Sequence, residues 1–433
     1  MKKNRVVSLM IALVLVFSAF FQAAPAKAAT NTIVDVAASD PRFSTLVTAL
    51  QAAGLDATLQ GPGPFTVFAP TNDAFAKLPK GTVDALLADI PALTNVLTYH
   101  VVGGNLASGD VISASSVNTV QGSKAIIRKV GKNYFINNAR IIITDIPADN
   151  GVIHVINRVI IPPAKNIMET IREDSRFDTL EAAIDAAGLA GVLESAGPFT
   201  LFAPTDAAFK KLPKGTVEAL LADIPALTNV LTYHVLAGAS FARDVNMLIS
   251  ADTVQGSPVI FRKTDGRLFV NRSMIQRADL LASNGVIHVI DRVLLPPTKD
   301  IVQTLSDDKR FETLVTAVDA AGLVGTLQGP GPFTVYAPTD AAFKKLPKGT
   351  LEALLADIPA LTSVLTYHVS ADELFRGEIR MLDTLPTVNG AEIDVEIKRG
   401  RLMLNNARLV QRDIITTNGV IHVIDAVLLP PAP

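Results

Sequence analysis

The sequence Asn-Gly-Val-Ile-His at residues 150–154 decides the domain architecture of this chain, because it occurs three times. The same five residues return at 284–288 and at 418–422, each time 134 positions further along the 433-residue chain. Thr-Tyr-His at 98–100 is repeated with the same spacing, so the three copies align without a net insertion. This period exceeds the roughly 20–50 residues of solenoid repeats and suits a domain of about 100–150 residues with its own core. The chain is therefore predicted to contain three domains of one fold.

The amino-terminal residues predict export. Lys2, Lys3 and Arg5 precede an apolar stretch at 6–21, and Ala-Lys-Ala at 26–28 has the A-x-A form of a cleavage site, as in a bacterial-type secretory signal peptide. No later apolar stretch is long enough to cross a bilayer. The mature chain is therefore expected to be secreted and extracellular, free or associated with a cell surface, without a transmembrane segment. We divide the chain into a signal peptide at 1–28 and domains at 30–164, 165–298 and 299–433.

Composition narrows the classes of partner. Residues 1–28 contain four of the 39 Lys and Arg residues and none of the 41 Asp and Glu residues, so the remainder has 35 bases, 41 acids and a formal net charge of −6. No nucleic-acid partner is expected, because nucleic-acid affinity depends on neutralising phosphates. The sequence has no cysteine, so each domain must be stabilised by its own apolar core rather than by disulfides.

Within one repeat the apolar periodicity changes from helical to extended. Phe43, Leu46, Val47 and Leu50 follow the i, i+3, i+4, i+7 spacing of an amphipathic helix that begins near Asp40-Pro41. A short buried strand is predicted at 64–69. After residue 119 the period is two, and strands are predicted on both sides of a tight turn at Gly131, then at 141–144 and 152–161. Helices in the first two thirds and strands in the last third predict an α+β domain.

Three segments of the repeat resemble the diagnostic blocks of fasciclin (FAS1) domains. They are the strand and helix cap at 65–75, the Tyr-His pair at 99–100 and the strand at 150–156. The resemblance covers nearly all of 33–431 and implies three tandem FAS1 domains, each a small β-wedge or sandwich packed with several α-helices. It also implies an extracellular role, most often cell adhesion or attachment to extracellular matrix. The family is not known for enzymatic activity.

The six histidines lie in the repeated motifs and have two interpretations. The family resemblance suggests that the Tyr-His pair contributes to adhesion, whereas the apolar neighbours Leu93, Val96 and Leu97 favour a buried histidine that bonds to the backbone. The second histidine of each repeat lies in a strand that is apolar on both faces, where a structural role is expected. The residues concerned are Tyr99, His100, Tyr233, His234, Tyr367 and His368, together with His154, His288 and His422. Two histidines without cysteine fit no compact zinc motif, so no metal or other cofactor is expected.

An acid followed by an aliphatic residue just before the Asn-Gly turn is the candidate adhesion site. The pairs are Asp145-Ile146, Asp279-Leu280 and Asp413-Ile414. The family resemblance supports them, because integrin-directed motifs of animal fasciclin proteins occupy this place, although Pro147 departs from the family pattern. The alternative is a turn acid that precedes a core aliphatic residue.

The segment after the Tyr-His pair differs among copies whose scaffold is nearly identical. Residues 197–235 differ from 331–369 at four of 39 positions, whereas 102–118, 236–252 and 370–386 are unlike one another. We call these last three the variable segments. Either they set partner specificity, as loops on a rigid scaffold often do, or they have drifted for lack of constraint.

These observations predict a binding protein rather than an enzyme. The sequence has no nucleophile elbow, metalloprotease motif, phosphate-binding loop or dinucleotide fingerprint, so no catalytic residue is assigned. We expect a secreted protein that attaches through repeated domains to cell-surface or extracellular-matrix components, either polysaccharide or protein. Two alternatives stay open. One is a self-associating structural component of a matrix or biofilm, and the other is a carrier of small apolar ligands or lipids.

Overall fold

The structure is a computed structural model that describes residues 31–431. The predicted signal peptide lies outside the described residues. Among the residues described, no helix combines the length and the apolar character needed to cross a membrane. Of the described residues, those up to Ile161 form one compact unit and those from Pro162 onward form a second, which holds the second and third domains.

The first domain alternates short helices and strands. Its helices are α1 (Ile33–Ser39), a 3-10 turn (Pro41–Phe43), α2 (Ser44–Ala52), α3 (Asp56–Leu59), α4 (Asn72–Phe75), α5 (Thr82–Ala88), α6 (Ile90–Tyr99) and α7 (Ser108–Ser113). Its strands are β1 (Phe65–Pro70), β2 (Val101–Gly103), β3 (Ser116–Asn118), β4 (Lys124–Val130), β5 (Asn133–Ile136), β6 (Ala139–Ala148) and β7 (Gly151–Ile156).

The second and third domains repeat this order. The second has helices α8 (Ile167–Glu173), α9 (Asp178–Ala186), α10 (Ala190–Glu194), α11 (Asp206–Phe209), α12 (Thr216–Ala222), α13 (Ile224–Thr232) and α14 (Ala242–Val245). Its strands are β8 (Phe199–Pro204), β9 (Val235–Ala237), β10 (Ser250–Asp252), β11 (Pro258–Thr264), β12 (Arg267–Val270), β13 (Ser273–Ala282) and β14 (Gly285–Ile290). The third has helices α15 (Ile301–Ser306), α16 (Glu312–Ala320), α17 (Val324–Leu327), α18 (Asp340–Phe343), α19 (Thr350–Ala356), α20 (Ile358–Tyr367) and α21 (Arg376–Ile379), with a 3-10 turn at Lys309–Phe311. Its strands are β15 (Phe333–Pro338), β16 (Val369–Ser370), β17 (Thr384–Pro386), β18 (Glu392–Lys398), β19 (Arg401–Leu404), β20 (Ala407–Thr416) and β21 (Gly419–Ile424).

Each described domain is built on a seven-stranded sheet. In the first domain the order is β2-β1-β7-β6-β5-β4-β3, and the other domains have the same order. The neighbours β1 and β7 are parallel, whereas the other pairs are antiparallel. Strand β1, from the first half of the repeat, therefore lies between β2 and β7, one strand in from the edge of the sheet. The predicted α+β class with three tandem domains is confirmed.

Two differences from the predicted elements have identifiable causes. The chain near Asp40 first makes the 3-10 turn Pro41–Phe43, capped by the Asp40 carboxylate, before α2 begins. The last strand ends at Ile156 instead of residue 161. The Ile160 N–H donates to Nε2 of His100 (3.0 Å) rather than to a neighbouring strand.

The Asn and Gly of the repeated motif hold the first helices and β1 against β7. The Asn150 side chain accepts from the Ile33 N–H (2.9 Å) and donates to the carbonyls of Leu59 (2.7 Å) and Gly61 (2.8 Å). Gly151 has a φ of +154°, and a Cβ at that position would overlap the Phe65 carbonyl oxygen. The motif is thus explained by packing, because only glycine permits this approach of the parallel strand.

Strands β1 and β7 are buried on both faces of the sheet, so each domain has one apolar cluster on either face. Alternate residues of β1 point to opposite faces, so Val67 joins one cluster and Phe68 the other. The first cluster lies under the helices and includes Phe43, Leu46, Leu97, Val67 and Ile153. The second lies on the other face and includes Phe68, Tyr99, Ile127, Ile136 and Ile156.

The second and third domains share an apolar contact. Ile249 and Ile260 of the second domain pack with Phe375, Ile415 and Val420 of the third. Gly377, on α21, lies so close to the Ile249 side chain that a Cβ there would be 2.9 Å from two of its carbon atoms.

Candidate functional site

The variable segment of each domain is attached to the sheet at its base by a threonine. In the first domain the Thr66 hydroxyl donates to the Gly104 carbonyl (2.7 Å) and accepts from the Leu106 N–H (2.8 Å). Thr66 is buried in β1. Thr200 and Thr334 make the equivalent bonds in the other domains. The start of the segment is therefore held in one geometry whatever its sequence.

The aspartate of the candidate adhesion pair also contacts the variable segment. Asp145 has a φ of +60° and lies at a bulge where β6 shifts its register against β7. Its Oδ1 accepts from the N–H of Ser108 (2.7 Å), the first residue of α7. Hydrogen bonds from Ser108 lower the pKa of the Asp145 carboxyl. The carboxylate thus caps the short helix of the variable segment.

The strand histidine completes this network. The Asp145 N–H donates to Nδ1 of His154 (3.2 Å), so Nε2 carries the proton and donates to the Leu106 carbonyl (2.9 Å). Burial lowers the pKa of His154. The same bonds link Asp279, His288, Ala242 and Ser240 in the second domain, and Asp413, His422, Arg376 and Leu374 in the third. We call the threonine, the aspartate and the strand histidine of each domain the anchor triad.

The aliphatic partners of these aspartates face the protein interior. Ile146, Leu280 and Ile414 are partly buried and pack against the helix-side apolar cluster of their domains. Asp145 is exposed, whereas Asp279 and Asp413 are half-buried. The structure thus brings each predicted pair beside the variable segment with the carboxylate bonded and the aliphatic side chain packed. The adhesive role of the pairs stays a prediction.

The helix-end histidines lie in the core. His100 Nδ1 donates to the Val96 carbonyl (2.8 Å), and Nε2 accepts from the Ile160 N–H (3.0 Å). The two histidines of a domain are thus neutral in opposite tautomers. Burial lowers the pKa of His100 to about 4. His234 and His368 bond to the equivalent backbone groups of their own domains, and burial also lowers their pKa values to about 4.

The neighbouring tyrosine is also buried. The Tyr99 hydroxyl donates to the Lys124 carbonyl (2.9 Å) and accepts from Nδ2 of Asn137 (2.8 Å). Burial raises the pKa of Tyr99 to about 12. Tyr233 and Tyr367 make equivalent bonds. Every Tyr-His pair therefore joins α6, or its counterpart, to the sheet, and a partner has no direct access to either side chain in this conformation.

A cleft at the junction of the second and third domains contains, beside Lys211, four arginines that the sequence patterns did not single out. It has a volume of about 750 Å3. Its basic residues are Lys211, Arg262, Arg272, Arg292 and Arg412. They are scattered over about 200 positions, so no local pattern marks them. A comparison of the three copies marks two of them, because the positions of Arg272 and Arg412 are basic in one copy only.

No arrangement suited to a metal ion is found within 31–431. Nowhere in that range do three or more His, Asp or Glu side chains come together as potential ligands. The ring nitrogens of His100 and His154 are already paired with backbone groups.

Comparison with known proteins places the fold and the motifs in one family. A family model described as "Fasciclin domain" matches residues 41–162, 175–296 and 309–430. The transforming growth factor-beta-induced protein ig-h3 of Sus scrofa is 32% identical over 405 residues, which cover 93% of this chain and 58% of that protein. Periostin of Homo sapiens is 30% identical over 387 residues, which cover 88% of this chain and 44% of that protein.

A bacterial relative matches a single domain. The cell surface glycolipoprotein MPB83 of Mycobacterium bovis is 40% identical over 137 residues, which cover 30% of this chain and 61% of that protein. The chain spans about half the length of the two animal relatives. Because the family model matches three successive segments, the chain belongs to the fasciclin family, with three fasciclin domains in tandem.

Proposed function

We propose that this chain is an extracellular binding protein that attaches to cell-surface or matrix components through several weak sites, one or more on each fasciclin domain. Linked modules reach an effective concentration in the millimolar range, so avidity exceeds the affinity of one module by roughly 10²–10⁴. The cell-surface location in the name of the bacterial relative supports this assignment. The proposed role is non-enzymatic, as the family resemblance implies.

The observation that carries the proposal is the anchor triad. Three variable segments of different sequence are held by the same bonds from threonine, aspartate and histidine. The segments also present different chemistry. Met247 and Met381 are 77% and 74% exposed, whereas a serine, Ser113, occupies that position in the first domain. A constant base that carries varied, exposed side chains suits recognition of more than one partner surface.

The test is an exchange of variable segments in residues 29–433. Residues 370–386 are replaced by 102–118, which have equal length, together with Tyr336→Phe. The second change is needed because the Tyr336 hydroxyl lies 3.2 Å from the Ser370 hydroxyl, and phenylalanine is the residue of the first domain. Tyr336→Phe alone is the matched control. Binding to isolated cell-wall polysaccharide and to matrix proteins is measured by surface plasmon resonance.

We expect the exchange to change the relative affinities for these components and the control to leave them unchanged. Binding that is identical in the wild type, the exchange and the control would contradict a role of the variable segments. Absence of saturable binding to any of the components would contradict the proposed function itself.

The two alternatives make different predictions. A self-associating matrix component is expected to form larger species in sedimentation velocity as concentration rises. A carrier of apolar ligands needs an internal cavity, and ligand pockets usually measure about 300–1,000 Å3. The apolar cavity beside Leu314 and Phe333 in the third domain has a volume of about 60 Å3, so it lends the carrier hypothesis little support.

A further inference from the structure

We propose that the cleft between the second and third domains binds the anionic groups of an acidic polysaccharide. The inference rests on the proposed function and names one ligand class for it. We call this site the junction cleft. The second domain contributes Lys211, Arg262, Arg272 and Arg292, and the third contributes Arg412. All five side chains are exposed to solvent, so they are available to a ligand that enters the cleft.

The basic side chains of the junction cleft are only partly neutralised. Nζ of Lys211 lies 3.1 Å from the Asp291 carboxylate, and Nε of Arg412 lies 3.9 Å from the Asp413 carboxylate. Oδ1 of Asp413 is also occupied by the Arg376 N–H. Within residues 31–431, no carboxylate lies within 4 Å of the three remaining guanidinium groups. Two carboxylates against five cations leave about three positive charges in the cleft.

The arginines are close enough to repel one another. Although the Arg262 side chain is exposed, partial desolvation by the walls of the cleft lowers its pKa, and the charges of Arg412 and Arg272 lower it further, against the opposing effect of Asp413. Arg376, at the same junction, has its pKa lowered by burial and then by Arg412 and Arg380. Arginine stays protonated at neutral pH, so this repulsion persists in the folded protein. An anion bound in the cleft relieves it.

Arg272 and Arg412 lie at positions that are basic in one copy only, whereas the first domain keeps Lys77, Arg128 and Arg158 at the positions of the other three cations. In the third domain, Glu396, Asn406 and Ala426 take the positions of Arg262, Arg272 and Arg292. The counterparts of Arg412 are Ala278 in the second domain and Thr144 in the first. Each of these four positions is occupied by another residue in at least one copy, so the repeated fold does not require the arginines, and another reason is needed for all of them to meet at this junction. Binding of an anion supplies that reason.

The shape and chemistry of the cleft favour a polysaccharide. Its volume of about 750 Å3 lies within the range of about 300–1,000 Å3 for ligand pockets. Guanidinium groups match carboxylate, sulfate and phosphate oxygens bidentately. Leu295, half-exposed on the wall, offers an apolar surface to the face of a sugar ring.

Single-stranded nucleic acid fits the cleft less well. Binding of single strands combines cations with aromatic side chains on which the bases stack. Tyr233 is the one aromatic residue among those lining the cleft within the described part of the chain, and it is 1% exposed. A base therefore finds no stacking surface there.

The experiment compares two matched double variants of residues 29–433. The first is Arg262→Gln with Arg292→Gln in the junction cleft. The second is Arg128→Gln with Arg158→Gln, the same positions in the first domain. The two pairs are matched closely, because Arg128 and Arg262 each donate to the carbonyl of the equivalent asparagine. Arg412→Ala is a third variant, which introduces the residue that the second domain has at this position. Circular dichroism and thermal unfolding check the fold of all three.

The probes are polygalacturonate and dextran sulfate, with neutral dextran, poly-glutamate and single-stranded DNA for comparison. We expect the wild type to bind at least one of the two acidic polysaccharides and not neutral dextran. We expect roughly a tenfold or greater loss of affinity in the junction variants, as for removal of charge-assisted hydrogen bonds. The first-domain variant is expected to bind like the wild type.

Three results would overturn the inference. The first is that the wild type binds neither acidic polysaccharide. The second is that the junction and first-domain variants lose the same amount of affinity for them. The third is that poly-glutamate or DNA binds as tightly as the acidic polysaccharides, or more tightly. If the junction variants still bind cell-wall or matrix preparations like the wild type, the cleft assignment fails and the proposed function stands. Failure of the proposed function is recognised separately, because the wild type would then bind none of those preparations.

Discussion

Replacing His100 with glutamine is expected to make the first domain less sensitive to acid. In the folded protein Nε2 of His100 accepts from the Ile160 N–H, and Nδ1 donates to the Val96 carbonyl. A second proton on the ring would have to sit on Nε2, facing an N–H donor inside the core. Burial lowers the pKa of His100 to about 4. Glutamine retains an amide that can bond to the backbone but does not titrate in this range.

The magnitude follows from the difference between the folded and unfolded pKa values. An unperturbed histidine has a pKa of about 6.5, so the unfolded state binds more protons than the folded state between pH 6.5 and 4. Stability is therefore full above pH 6.5 and falls as the pH falls toward 4. A pKa difference of about 2.5 corresponds to about 3 kcal/mol of unfolding free energy for one domain. Burial lowers the pKa of His154 in both the wild type and the variant, so its contribution to the pH dependence cancels when the two are compared.

The assay is urea unfolding of residues 29–433 at pH 7 and pH 4, followed domain by domain with pulsed hydrogen exchange and mass spectrometry. At pH 7 the variant is expected to lose about 1–3 kcal/mol, because one buried hydrogen bond is weakened. Between pH 7 and pH 4 its first domain is expected to lose about 3 kcal/mol less than that of the wild type.

The second and third domains are internal controls, because they keep His234 and His368, whose pKa values are also about 4. Equal losses on acidification in the first domain of the variant and the wild type would refute the reasoning.

Three further predictions test the packing. Asn150→Ala leaves an N–H and two carbonyls without the partner they have in the core, and we expect its first domain to lose about 3 kcal/mol or more in urea unfolding; a loss below about 1 kcal/mol would contradict this role. Gly377→Val places methyl groups against Ile249, and we expect it to destabilise the contact between the second and third domains by about 1–3 kcal/mol. The measurement is hydrogen exchange in β10 and β11, which should become faster; unchanged exchange would contradict the contact. Burial and the charge of Asp252 raise the pKa of Glu373 to about 7, so the stability of the third domain should fall as the pH rises from about 4.5 to 7. Glu373→Gln should therefore stabilise this domain in urea unfolding at pH 8 and not at pH 4. Equal effects at the two pH values would contradict the raised pKa.

Local sequence patterns were sufficient for the helix that begins near Phe43 and for the hairpin at Gly131. The apolar spacing that begins at Phe43 corresponds to α2, and the alternating residues on either side of Gly131 correspond to β4 and β5. Such elements are encoded by contacts between residues a few positions apart. The exact repeat of 134 residues then gave the number of domains, because the repeat occurs three times and each copy is long enough to bury its own core.

The sheet order was outside the reach of those patterns. Strands β1 and β7 lie about 85 residues apart in sequence, yet they are parallel neighbours. The Asn-Gly pair at 150–151 resembles a hairpin turn, and its further role is visible only in three dimensions. Asn150 bonds to α1 and to the residues around α3, and Gly151 leaves room for β1.

The sequence by itself determined the three-domain architecture, the family and the contrast between the nearly identical residues 197–235 and 331–369 and the variable segments that follow them. Only the tertiary structure decided what each polar residue does. The helix-end and strand histidines share similar apolar surroundings in sequence, yet His100 bonds to Val96 and Ile160 in the core while His154 bonds to Leu106 of the variable segment. The five cations of the junction cleft are brought together by the packing of two domains. The physical reason is that hydrogen bonding and charge repulsion depend on distances of a few ångströms, and for residues far apart in sequence only the folded chain sets those distances.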